Sequence, residues 1–225
     1  MIFYQSINKL KFLIIVYFSY ICTPKTVNSM DSVNIAIFAS GSGTNAENII
    51  RYFSPNPSVQ VKLVLTNRED AYVLKRAEKL KIPSIIFSAN DLREGTKVDE
   101  ILVDNKIDYL ILAGFLLKIP DRIVTKYRGR IINIHPALLP KYGGKGMYGS
   151  RVHQAVIDSL EKESGITIHL VDEVYDNGET LFQAKCTLDA DESAETLAAK
   201  IHKLEKEHFP RIIDEYIKSR KIDNN

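Results

Sequence analysis

From Val33 onward, short runs of apolar and β-branched residues alternate with segments whose apolar positions recur at helical spacing. The runs 33–39 (VNIAIFA), 59–66 (VQVKLVLT), 83–88 (PSIIFS), 109–114 (YLILAG) and 130–135 (RIINIH) are continuous enough to be buried on both faces, the pattern of parallel strands. Between them NAENIIRYF, AYVLKRAEKL, TKVDEILVDN and PDRIVTKYR carry the helical period. Strands joined by crossover helices predict an α/β fold with a doubly wound, mostly parallel sheet.

Past residue 150 the pattern changes. A helix is expected over 150–163 (SRVHQAVIDSLEKE), followed by an antiparallel pair, GITIHLVDE at 165–173 and TLFQAKCTL at 180–188. A long amphipathic C-terminal helix runs from about Ser193 to Lys218. No linker rich in Pro, Gly and Ser divides this body, so 30–225 reads as a single domain.

Charge changes the picture mainly at the N-terminus. The chain carries 30 Lys and Arg against 28 Asp and Glu, which is no electrostatic footprint for nucleic acid. Lys9, Lys11 and Lys25 fall within residues 1–29, where no acid stands, so the rest of the chain is close to neutral. The apolar run 11–22 (KFLIIVYFSYIC) has the shape of a signal-peptide core but is short for a membrane span. Residues 1–29 therefore read as a leader, either a mis-assigned start preceding the true one at Met30 or a signal-like segment. Cys22 and Cys186 form no disulfide framework and the histidines are scattered, pointing to a cytoplasmic protein without a structural metal.

Three stretches carry chemistry. The first strand runs into Ser40-Gly41-Ser42-Gly43-Thr44-Asn45-Ala46, a glycine turn into a helix start that can cradle an anion on backbone N–H groups. Its G-x-G-x-x-A spacing also fits a dinucleotide fingerprint, yet the second strand ends in Thr66-Asn67, where a ribose-binding acid would be needed. In the second stretch, Asn133 and His135 alternate on the fifth strand, so they share one face at its carboxyl end. An amide and an imidazole N–H there suit an oxyanion. In the third, Asp172 to Gly178 reads as an acidic turn, or as a segment that sets Asp176 against His135, raising the imidazole pKa and moving a proton.

Taken together, SGSGTN after the first strand, AGFLLKI at 113–119, NIHPALLPKY at 133–142 and the D-x-x-x-D-x-G segment at 172–178 resemble the phosphoribosylglycinamide formyltransferases of the formyl-folate transferase superfamily. The resemblance covers about Val33 to Tyr216. It implies transfer of the formyl group of 10-formyltetrahydrofolate to the amine of glycinamide ribonucleotide in purine biosynthesis, with no metal, no nucleic acid and no membrane partner, by a monomer or homodimer. It places catalysis on Asn133, protonated His135 and Asp176. Ser42, Gly43, Thr44 and Asn45 would take the substrate phosphate, and Glu205 the ribose. Folate would lie against Arg93, Leu116, Leu117, Ile119, Asn133 and the backbone of 170–174. The stretch Lys141 to Ser150, with four glycines, departs from the family's short Pro-Gly loop and reads as a lid or a surface insertion. Formyltetrahydrofolate hydrolases and nicotinamide-dependent reductases are the rival classes.

Overall fold

The computed structural model describes residues 32–222; the leader expected over 1–29 lies outside the described residues. Its strands are β1 (Val33–Phe38), β2 (Val59–Thr66), β3 (Ser84–Ile86), β4 (Tyr109–Leu112), β5 (Ile131–His135), β6 (Glu163–Leu170) and β7 (Thr180–Thr187). They form a seven-stranded sheet in the order β3-β2-β1-β4-β5-β6-β7. Pairing is parallel from β3 through β5 and antiparallel for β5 with β6 and β6 with β7. The α/β class, the mostly parallel sheet and the antiparallel C-terminal portion are borne out.

The helices are α1 (Thr44–Phe53), α2 (Val73–Lys79), α3 (Ala89–Arg93), α4 (Lys97–Asp104), α5 (Asp121–Lys126), α6 (Ser150–Asp158) and the long C-terminal α7 (Ala194–Ile222). Both faces of the sheet are covered because alternate residues of each strand feed different cores. Ile35, Ile37 and Ile111 meet Ile49 and Phe53 of α1 and Leu197, Ile201 and Phe209 of α7. Ala36, Phe38, Leu110 and Leu112 meet Leu92 of α3, Val98 and Leu102 of α4, and Ile123 and Val124 of α5. One expected element is shorter and one element was not expected. The helix after residue 150 stops at Asp158, where the chain turns through Leu160 at φ +52°, and the short α3 is additional. Among the described residues, no helix is long and apolar enough to cross a membrane.

Neighbouring β1 and β4 continue in opposite directions, β1 toward β2 and β3, β4 toward β5. A crevice opens at the carboxyl ends of strands at such a switch point, which is where open α/β sheets bind ligands. Here Ser40 bridges it: its N–H donates to the Gly114 carbonyl at 3.0 Å, and its Oγ accepts from the Leu116 N–H at 3.0 Å while donating to Asn67 at 2.6 Å.

Candidate active site

A cleft of about 680 Å³ runs along these strand ends. One end is built by the turn from β1 into α1. Gly43 is the N-cap residue of α1, sits at φ +72°, and makes no side-chain cap. A Cβ there would come within 2.5 Å of Val73, so the left-handed turn and the close approach of α2 both require glycine. The result is a helix start whose backbone donors and dipole favour an anion. Arg76 locks the turn from behind, Nε donating to the Ser42 carbonyl at 2.8 Å.

The long helix α7 closes this end. Asn45 Nδ2 donates to Glu205 Oε2 at 3.0 Å, and His202 Nδ1 lies 2.9 Å from the same oxygen. Glu205 is buried, and its carboxylate raises the His202 pKa through that hydrogen bond. Ser42, Gly43, Thr44, Asn45 and Glu205 all line the cleft.

At the centre, β5 presents Asn133 and His135 on one face, with Ile132 and Ile134 turned into the opposite core. The antiparallel register sets Asn133 against His169 and His135 against Thr167. His169 Nδ1 lies 2.8 Å from the Leu170 carbonyl, which only an N–H satisfies. Its Nε2 therefore accepts from Asn133 Nδ2 at 3.0 Å, leaving the second amide hydrogen of Asn133 for the cleft. By the same logic, His135 Nε2 donates to the Tyr142 carbonyl at 2.8 Å, and its Nδ1 faces Asp176 Oδ2 at 3.7 Å.

The acidic segment is a turn that also sets Asp176 against His135. Asp172 builds the turn, accepting from the Val174 N–H at 2.9 Å and from Asn177 Nδ2 at 3.0 Å. At Gly178 a side chain would collide with the Leu170 carbonyl. Asp176, at φ +53°, a conformation Asp tolerates better than most residues, is aimed inward between His135 and His169. Its Oδ2 also accepts from the Gly144 N–H at 2.7 Å, so the glycine-rich loop is tied to it. Gly144 to Gly149 of that loop form a wall of the cleft.

At His135, burial outweighs the charge pairing expected of Asp176. His135 and His169 are 3% and 2% exposed. Burial pulls both imidazoles below their ordinary value, and Asp176 opposes this without overcoming it. Burial thus favours the neutral form of the His135 ring.

Leu116, Leu117, Ile119, Val171 and Asp172 form an apolar-edged flank of the cleft, with Leu116 exposed. Arg93 is the exception among the expected site residues. It ends α3, is exposed, and lies outside the cleft lining. A Ser88–Asp91 capping box starts α3, and Arg122 donates to the carbonyls of Leu92 and Arg93, fixing that helix end. His169 and His202 were missed by the sequence reading as cleft residues. His169 falls in the first strand of the expected antiparallel pair, and only its pairing with β5 in the structure brings it to Asn133.

The sequence pattern of the formyl transferase family matches residues 33–213. The chain belongs to the formyl transferase family. As a formyl transferase it is similar to the chloroplastic phosphoribosylglycinamide formyltransferase of Arabidopsis thaliana, 36% identical over 215 residues, covering 88% of this chain and 74% of that one. It is 33% identical over 187 residues to the phosphoribosylglycinamide formyltransferase of Bacillus subtilis, covering 81% and 93%. The crystal structure of the Bacillus halodurans phosphoribosylglycinamide formyltransferase superposes with a TM-score of 0.73 at 32% identity over 81% of this chain and 94% of that one. The family resemblance read from the motifs is borne out. The dinucleotide alternative finds Asn67 where it needs an acid, already taken by Ser40.

Proposed function

We propose that the chain transfers the formyl group of 10-formyltetrahydrofolate to the amine of glycinamide ribonucleotide, giving formylglycinamide ribonucleotide and tetrahydrofolate in purine biosynthesis. The observation that carries this reading is a single cleft in a formyl transferase that joins an anion-accepting helix start to an Asn–His–Asp cluster. The substrate phosphate takes the N–H groups around Ser42, Gly43, Thr44 and Asn45, and Glu205 accepts from the ribose. The folate ring system lies on Leu116, Leu117 and Ile119, beside the 170–174 backbone.

In this orientation the amine meets the formyl carbon next to β5. As the carbonyl oxygen gains charge, the free amide N–H of Asn133 donates to it. The attacking nitrogen becomes cationic, and its proton passes through the His135–Asp176 pair to the departing folate nitrogen. His135 starts neutral, so its Nδ1 lone pair accepts that proton, and Asp176 stabilises the imidazolium while it lasts. No proton is gained or lost overall.

The test is incubation of the full chain with glycinamide ribonucleotide and 10-formyl-dideazafolate, followed in the near ultraviolet and by product mass. Formylated ribonucleotide supports the reading. Hydrolysis of the donor without formylation of the ribonucleotide would replace it with a hydrolase.

A further inference from the structure

His153 stands in the first turn of α6, directly after the glycine-rich loop, and lines the same cleft as Glu205, His202 and His135. It is 5% exposed, and its Nδ1 is sealed from solvent without a hydrogen-bond partner. A buried N–H without an acceptor is costly, so the neutral ring keeps its lone pair on Nδ1 and its proton on Nε2. Burial and the neighbouring His202 and His135 hold the ring below its ordinary pKa, against the pull of Glu205. The ring therefore favours the neutral form, an N–H donor on the cleft wall within electrostatic reach of Glu205, His202 and His135.

We propose that His153 binds the substrate, its Nε2–H donating to the carbonyl oxygen of the amide that links the sugar to the reacting amine. This rests on the function proposed above. With the phosphate at Ser42–Asn45, the sugar at Glu205 and the amine at Asn133 and His135, the segment between them is the glycinamide amide. Its carbonyl is an acceptor, and Glu205, itself an acceptor, cannot satisfy it. His153 thereby distinguishes a ribonucleotide that carries the amide from a sugar phosphate that lacks it.

Calorimetric titration of the full chain with glycinamide ribonucleotide and, separately, ribose 5-phosphate tests this in the wild type and in His153→Phe, His153→Leu and His153→Gln. The two apolar variants differ in shape but both lack the donor; Gln retains one. Both should weaken ribonucleotide binding about fivefold to tenfold, the worth of one net hydrogen bond, and leave ribose 5-phosphate within about twofold. His153→Gln should recover most of the loss, and KM for the folate donor should not move. Unchanged ribonucleotide affinity, equal weakening of both ligands, a Gln variant as weak as Phe, or loss of fold in both apolar variants would each overturn the proposal. A wild type that neither binds nor formylates the ribonucleotide would instead remove the functional reading, and this inference with it.

Discussion

Asn133 and His169 face each other across the β5–β6 pair, the Asn133 amide donating to His169 Nε2 at 3.0 Å. A terminal amide that rotates freely donates poorly to a developing charge; one hydrogen bond to a buried ring whose other nitrogen is held by a carbonyl gives it a single orientation. His169→Leu should lower kcat about threefold to tenfold, the value of one net hydrogen bond, and leave both KM values near wild type. Steady-state kinetics on the two substrates check this; a change confined to KM would show that His169 does not act through Asn133.

Asp176→Asn keeps the size and an oxygen for the Gly144 N–H but removes the charge beside His135. If the pair carries the proton, kcat should fall about 100-fold or more, within the range for a positioned acid–base group. Thermal stability should change little by comparison. Full turnover in the Asn variant would remove Asp176 from proton transfer.

Gly43→Ala places a methyl group against Val73 in a backbone conformation at φ +72°. A destabilisation of about 1–3 kcal/mol is expected, with a raised KM for the ribonucleotide because the helix start must shift. Denaturant unfolding and kinetics report the two effects; an unchanged midpoint and KM would show that the turn accommodates a side chain.

Acid should destabilise the protein before its carboxylates titrate. Burial lowers the folded-state pKa of His135, His153 and His169, whereas each returns to about 6.5 when unfolded. Below about pH 6.5 the unfolded chain binds more protons, so stability is lost as pH falls through that value. His202 works the other way: its pKa is raised by Glu205, so its contribution is present in acid and lost as pH rises through its folded value. Three groups against one predict a falling melting temperature from pH 7.5 to 5.5, with a shallower slope in His153→Phe. A flat or rising profile would contradict the neutral assignment of the buried rings.

The sheet was readable from the chain because strands buried on both faces must be continuously apolar, as in Tyr109–Leu112, and their parallel direction followed from crossover connections. Asn133 and His135 were readable because alternation along a strand fixes a shared face. The five-residue α3 left no helical period, only the Ser88–Asp91 cap, and Arg93 at its end is not among the residues that line the cleft. His169 is a single histidine in an antiparallel strand, and only the register of β6 against β5 brings it to Asn133. The lowered pKa of His135 depends on how completely the packed site excludes water, which composition and spacing do not encode.

The central claim is that Asn133 donates to the oxyanion formed when the ribonucleotide amine attacks the formyl group. The most direct measurement is the single-turnover rate of formyl transfer to glycinamide ribonucleotide at saturating donor, wild type against Asn133→Ala, with folding verified. Loss of one such donor predicts a rate about 100- to 1000-fold lower in the variant while both substrates still bind. A variant that transfers the formyl group at the wild-type rate would contradict the account.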